Sequence, residues 1–235
     1  DEVIQAIAQG GDGDEAHAVK GLFAACFGLE EDRTRACTAY IAEALPHVVE
    51  LKEESTLFVR LSKRYGAGDP GLIAMLLMQQ VHLAPGQAIF IGPNVPHAYL
   101  EGDLIECMAC SDNVVRAGLT PKYKDVGTLL EVVECSSSLD GVHDPVRGGD
   151  GFNVVSAPAE EFRLKFLPES SPRAVIEEGD APAVVLCVGD GATIRSRETG
   201  RRLDLVDGGA ALLPPCTGAY DVETSRAILV YGTVG

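Results

Sequence analysis

The residues best suited to chemistry lie between positions 82 and 124. His97 closes the stretch Gly86-Gln-Ala-Ile-Phe-Ile-Gly-Pro-Asn-Val-Pro-His97, in which an apolar run sits between two turns. An imidazole placed this way serves either as a metal ligand or as a structural hydrogen-bonding group, and a metal site asks for about three or more protein donors. No His-x-His occurs, and His17, His47, His82 and His143 have no His or Glu at ligand spacing, so they read as surface, packing or loop residues. Cys107-Met-Ala-Cys110 has the spacing of a redox or zinc pair. No second pair completes a four-thiolate site, however, and residues three apart on a strand point to opposite faces. Glu106 alternates with Leu104 and Met108, so on a strand these three share one face and Ile105 and Cys107 share the other. Only one face can be interior, and a carboxylate there needs a partner or a metal. For Arg116 the ordinary use is a salt bridge with Asp112 or Asp125.

The elements that must position these residues divide into a helical start and a β-rich remainder. Val19, Leu22, Phe23, Cys26 and Phe27 follow the i, i+3, i+4, i+7, i+8 spacing of one buried helical face. A second helix is expected over Thr34–Leu45, stopped by Pro46, and a third over Lys52–Tyr65 with Leu57, Phe58 and Leu61 on one side. Gln9–Asp14 reads as a solvated loop, and Gly66-Ala-Gly-Asp-Pro-Gly71 breaks the helical pattern. Short β-type runs follow at 81–83, 88–91, 98–100 and 104–108, separated by Gly and Pro turns as in an antiparallel barrel or sandwich. After a Ser- and Gly-rich loop over 136–151, the β pattern returns at 162–166, 183–188, 192–195, 202–205, 210–213 and 227–231. The expected fold is therefore mainly β with an α-helical N-terminal region. The expected divisions are a helical segment (1–72), a first β unit (73–135) and a second (136–235).

The run ending at His97 resembles the second half of a cupin metal motif, in which the His points inward toward the metal. From Pro96-His-Ala-Tyr-Leu100 through Glu101-Gly-Asp-Leu-Ile-Glu-Cys-Met-Ala-Cys110 to Ser111-Asp-Asn-Val-Val-Arg-Ala-Gly-Leu-Thr-Pro-Lys122 the sequence is similar to type I mannose-6-phosphate isomerase. The likeness extends from about Asp69 to Val126. That family is a zinc-dependent aldose–ketose isomerase with a catalytic cupin, a helical insertion and a second, metal-free cupin. The resemblance implies cupin-like (jelly-roll) β units, a sugar-phosphate substrate, and zinc bound by His97 inside a barrel cavity. It further implies that Tyr99 and Glu106 line the pocket, that Arg116 acts at the reacting carbons and that Lys122 lies near the substrate. Moving a proton between C1 and C2 of a sugar passes through an enediolate, whose negative oxygens a divalent metal and a fixed guanidinium stabilise while an oriented base carries the proton. Arg116 suits that task because its donors form a rigid fork that stays charged.

The family's other zinc ligands, a Gln-x-His pair and a Glu, have no match here. The resemblance thus implies a chain that begins inside the helical insertion, with the missing donors supplied by an N-terminal half of the enzyme or a partner chain, and little activity alone. At the corresponding place in the C-terminal unit, Gly208–Tyr220 contains no His, as expected of a metal-free cupin. A second reading is a non-catalytic cupin-fold subunit acting as a scaffold, favoured by Gln87 and by Met78-Gln-Gln80, where the family pattern differs. An iron-dependent cupin dioxygenase would need a His-rich first motif that the sequence lacks.

Charge narrows the partners. Lys+Arg number 19 against 35 Asp+Glu, a net charge of −16, so neither nucleic-acid binding nor docking on an anionic membrane is expected. Arg116, Lys122 and Lys124 must then form a local positive pocket for a sugar phosphate, with the remaining charge screened within about 10 Å at ordinary salt. Leu72–Met78 is too short to cross a bilayer. Seven scattered cysteines and an acidic Asp1-Glu2 start point to reduced thiols in the cytoplasm.

Overall fold

A computed structural model describes residues 12–111, 113–135, 141–167, 172–224 and 227–233. The chain divides into two compact units. One comprises Asp1–Val81, Ile91–Glu101 and Ser111–Leu139, and the other His82–Phe90, Gly102–Cys110 and Asp140–Gly235.

The first unit is helical. Helix α1 (Asp12–Phe27) begins within the stretch read as a solvated loop and buries Phe23, Cys26 and Phe27, the face the spacing predicted. Helix α2 (Glu31–Ala44) turns inward with threonines: Thr34 and Thr38 are buried. Their hydroxyls donate to the carbonyls of Glu30 (3.1 Å) and Ala67 (2.7 Å), so both buried hydroxyls are satisfied. A 3₁₀ turn at Leu45–His47 contains Pro46, and a second covers Val49–Leu51. Helix α3 (Lys52–Tyr65) buries Leu57, Phe58 and Leu61 and opens with Glu53 and Glu54. It closes with Lys63 and Arg64, charges that suit the helix dipole at both ends. Helix α4 (Gly71–Ala74) continues as a 3₁₀ turn over Met75–Leu77, and α5 covers Val126–Val132. Two apolar clusters hold these pieces. One gathers Phe23, Phe27, Ala74, Leu129 and Val133, and the other Leu45, Leu57, Phe58, Leu61, Leu72 and Met75.

The second unit is an antiparallel sandwich of ten strands: β1 (Val146–Arg147), β2 (Asn153–Val155), β3 (Arg163–Leu167), β4 (Arg173–Ile176), β5 (Ala183–Gly189), β6 (Ala192–Ser196), β7 (Arg202–Leu205), β8 (Ala210–Leu213), β9 (Tyr220–Thr224) and β10 (Ala227–Thr233). One sheet runs β1-β2-β3-β10-β5-β8 and the other β4-β9-β6-β7. From β3 onward the pairing is nested: β3 with β10, β4 with β9, β5 with β8 and β6 with β7. Such nesting defines a jelly roll. Alternation along β5 sends Ala183, Val185 and Cys187 into the core and leaves Val184 and Val188 outside. Phe152, Leu167, Ile194, Leu205, Leu213 and Val222 complete that core.

The mainly β class with a helical start therefore holds, but its strands are not all where the sequence placed them. The runs at 81–83, 88–91, 98–100 and 104–108 form no strand. Their sole ladder contact among the described residues is a bridge between Ala88 and His143. The second half of a barrel expected there is not built as a sheet, because a strand is stable only with a partner to take its backbone hydrogen bonds. Conversely β4 and β9, which the sequence reading passed over, are fully paired. Residues 136–140 of the Ser-rich loop lie outside the described residues.

Candidate active site

His97 follows the Gly92-Pro93-Asn94 turn, where Asn94 adopts φ 63° and its carbonyl accepts from the Glu134 amide at 3.1 Å. The imidazole Nδ1 lies 2.9 Å from the Val95 carbonyl. A carbonyl only accepts, so Nδ1 carries the proton, and in the neutral ring Nε2 is left as the ligating atom. This is the arrangement by which a backbone carbonyl fixes the tautomer of a metal-binding histidine. The ring of Tyr99 sits 5.6 Å away, tilted by 52°. Both residues are exposed, Tyr99 by 53%. His97 was expected to point into a barrel cavity, yet its ring is open to solvent, since the strands that would flank it are unpaired. A depression of about 490 Å³ on the helical unit lies elsewhere, against Cys37, Tyr40 and Ile73.

Arg116 occupies a strip that runs across the same unit. Val115 and Ala117 pack on the cluster between α1 and α5, while Leu119 packs on the Leu72–Met75 cluster. Arg116 is half-buried, and no ion pair joins it to a described carboxylate. Asp125, one of its two possible salt-bridge partners, instead caps α5, its carboxylate accepting from the amide (3.0 Å) and hydroxyl (2.9 Å) of Thr128. Those two bonds hold its pKa below the usual carboxylate range. The other, Asp112, lies outside the described residues.

Lys122 is exposed and its amide donates to Thr120 Oγ1 at 3.2 Å. Lys124 donates to the Thr120 carbonyl at 3.2 Å and approaches Asp69 Oδ2 at 3.8 Å. His97, Tyr99, Arg116 and Lys122 thus share the helical unit, whereas Glu106 belongs to the sandwich unit. Glu106 is exposed along with Leu104 and Ile105, so neither face of its run is interior. Asp69, a buried carboxylate bonded to this strip, was read in the sequence only as part of a helix-breaking loop. The single sequence sign of it is an acid between turn-forming Gly68 and Pro70.

Metal-binding capacity can be judged from the donor set. Among the described residues no group of three or more His, Cys, Asp or Glu converges. His97 therefore fits one donor position of a zinc, and the described residues do not fit a complete zinc site. Cys107 supplies no alternative: burial pushes its thiol pKa up, the opposite of a reactive or redox-active thiolate. All seven cysteines are free thiols.

No family model matches the chain. A probable mannose-6-phosphate isomerase of Echinococcus multilocularis is 42% identical over 130 residues, covering 51% of this chain and 30% of that protein. Human mannose-6-phosphate isomerase is 40% identical over 149 residues, or 61% of this chain and 35% of the enzyme. The crystal structure of Salmonella typhimurium mannose 6-phosphate isomerase, bound to its substrate fructose 6-phosphate and zinc, superposes with a TM-score of 0.77 at 26% identity. The superposition covers 99% of this chain and 60% of that one. The chain spans about a third of the length of these two curated relatives. Over that partial length the chain is similar to the mannose-6-phosphate isomerases.

Proposed function

We propose that this chain is part of an enzyme interconverting mannose 6-phosphate and fructose 6-phosphate by proton transfer through an enediol. The observation that carries this reading is the identity of about 40% to curated isomerases, across a chain whose 96–122 segment holds the residue types that the reaction needs. The substrate class follows from the fructose 6-phosphate bound by the Salmonella enzyme. In this reading residues 73–135 belong to a catalytic barrel completed by polypeptide outside this chain, and 136–235 form the metal-free cupin-like domain.

The chain's residues then have separable tasks. His97, with Nδ1 tied to the Val95 carbonyl, offers Nε2 to a zinc whose remaining donors lie outside this chain. When bound, a divalent metal supplies Lewis-acid stabilisation of sugar oxygens. Arg116, fixed by its packed neighbours Val115 and Ala117, directs a charged, planar set of donors at the oxygens that become negative as the proton leaves carbon. Tyr99 shares the His97 surface and lines the sugar site. Lys122, exposed on the following turn, draws the phosphorylated substrate against the net charge of −16. Glu106 is read as a lining carboxylate on the family resemblance alone. The free thiols fit the reducing cytoplasm. Among the described residues no helix is long and apolar enough to cross a membrane.

The test is a coupled isomerase assay with zinc analysis on the complete protein and on His97→Ala. Turnover is expected in the complete protein, with both zinc and turnover lost in the variant. Full zinc and full turnover in His97→Ala would overturn the assignment, and a complete protein without isomerase activity would instead leave the non-catalytic scaffold.

A further inference from the structure

We propose that Asp69 is the positioning residue for the strip that carries Arg116 and Lys122, an inference that rests on the reading of those two cations as substrate-binding groups. Asp69 is 7% exposed, and a carboxylate taken out of water is costly unless its oxygens are satisfied. Its Oδ1 accepts two backbone amides, Gly71 at 2.8 Å and Leu119 at 2.9 Å, and its Oδ2 faces Lys124 at 3.8 Å. One side chain therefore fastens the start of α4 to the 118–124 turn, fifty positions away in sequence.

Two independent features show how tightly the turn is held. Leu119 has φ 55°, in the left-handed region that a residue with a bulky side chain seldom adopts. Such a conformation persists where the surroundings over-determine it. Here its amide is bound by Asp69 and its side chain packs on the cluster of Leu72 and Met75. Beside it, Gly118 lies directly against Gly71. A Cβ on Gly118 would stand 2.5 Å from the Gly71 Cα and 2.7 Å from Asp69 Oδ1. The strained, pinned residues 118 and 119 fall between the two candidate cations, Arg116 two positions before Gly118 and Lys122 three after Leu119. Lys122 is tied to the same turn through Thr120. Releasing Asp69 frees the turn to relax toward ordinary φ values, and both cations move with it.

The experiment compares Asp69→Asn with Asp69→Ala in the complete protein. Asn keeps an oxygen able to accept both amides, and Ala removes it. In Asp69→Ala the Leu119 amide is expected to lose hydrogen-exchange protection, and kcat for mannose 6-phosphate to fall about 10²-fold, as for a misplacement of about 1 Å. The assay is run well below the variant's melting temperature, with bound zinc unchanged. Asp69→Asn is expected to keep the protection and to stay within about threefold of the parent kcat, less than one tenfold step in the barrier.

Full turnover in a folded Asp69→Ala would overturn the inference, as would equal losses in Ala and Asn. If Asp69→Ala does not fold, Asp69→Asn decides alone: retained protection and turnover support the role, and a loss as large as that of Arg116→Ala refutes it. Arg116→Ala separates the two levels. If it turns over normally, the substrate reading fails. If it is inactive while Asp69→Ala is fully active, only the positioning role fails.

Discussion

Residues 183–213 and residues 81–108 are both built from short apolar runs set between Gly and Pro turns, but the former become β5 to β8 of a closed sandwich and the latter form no strand. In the sandwich every run finds partners: β5 alone pairs with both β10 and β8, and its Val185 and Cys187 are fully buried. In the earlier stretch Leu83 is 43%, Leu104 49% and Met108 57% exposed, and among the described residues the backbone makes one bridge, Ala88 to His143. The same local propensity gives opposite outcomes. What is called strand propensity is largely the gain from packing a pleated, half-buried surface against neighbours. Among the described residues the 81–108 runs find no partner strand, and His97, Tyr99 and Glu106 are left exposed.

That contrast can be broken by mutation, beginning with the largest effect. Arg116→Ala in the complete protein is expected to lower kcat by about 10³-fold, the scale of losing a charge-stabilising donor set, while leaving bound zinc and the melting temperature unchanged. Steady-state kinetics with metal analysis checks this, and unchanged turnover would remove Arg116 from the site. Leu167→Ala strikes the other region. This residue is completely buried in the sandwich, so the truncation should cost about 2–5 kcal/mol in chemical denaturation without altering zinc content.

Asp150 sharpens the electrostatic side of the sandwich. Burial pushes its carboxyl pKa up, but the Lys165 ammonium at 2.7 Å and the Phe152 amide together outweigh that, and the pKa ends below the ordinary value. A lowered folded-state pKa means the stabilisation is present above the unfolded value of about 3.9 and is lost as pH falls through the folded one. Asp150→Asn should therefore be destabilised by about 1–3 kcal/mol at neutral pH, with the difference from the parent closing only below about pH 4. A constant gap down to lower pH would contradict the sign. The smallest effect belongs to the unpaired stretch. Leu104→Ser in the isolated chain should change stability by about 0.5 kcal/mol or less, as for other surface substitutions. In the complete protein the same change should cost more if that run is then a paired strand, and equal values would show that it stays unpaired.

Much of the fold was legible beforehand. Helix α3 covers Lys52–Tyr65 as expected and buries Leu57, Phe58 and Leu61, because a 3.6-residue apolar period is a local signal that one packing face satisfies. The runs at 202–205 and 210–213 likewise became β7 and β8 without change of boundary. In contrast β9 reads Tyr-Asp-Val-Glu-Thr, and its two acids hide the inward pair Val222 and Thr224 that the sheet uses. For the candidate site the sequence offered residue types alone: a motif's outline singled out His97, family resemblance named Tyr99, Glu106, Arg116 and Lys122, and the structure adds that the Asp125 carboxylate caps a helix through Thr128.

Sequence by itself therefore determined the three N-terminal helices and most of the C-terminal strand runs, since each depends on neighbours a few residues apart. Tertiary structure alone decided that the 81–108 runs stand without a sheet, that β4 and β9 pair, and that Asp69 grips Leu119 across fifty positions. Those outcomes turn on which distant backbone amide or carbonyl arrives within hydrogen-bond reach, and no local period encodes that.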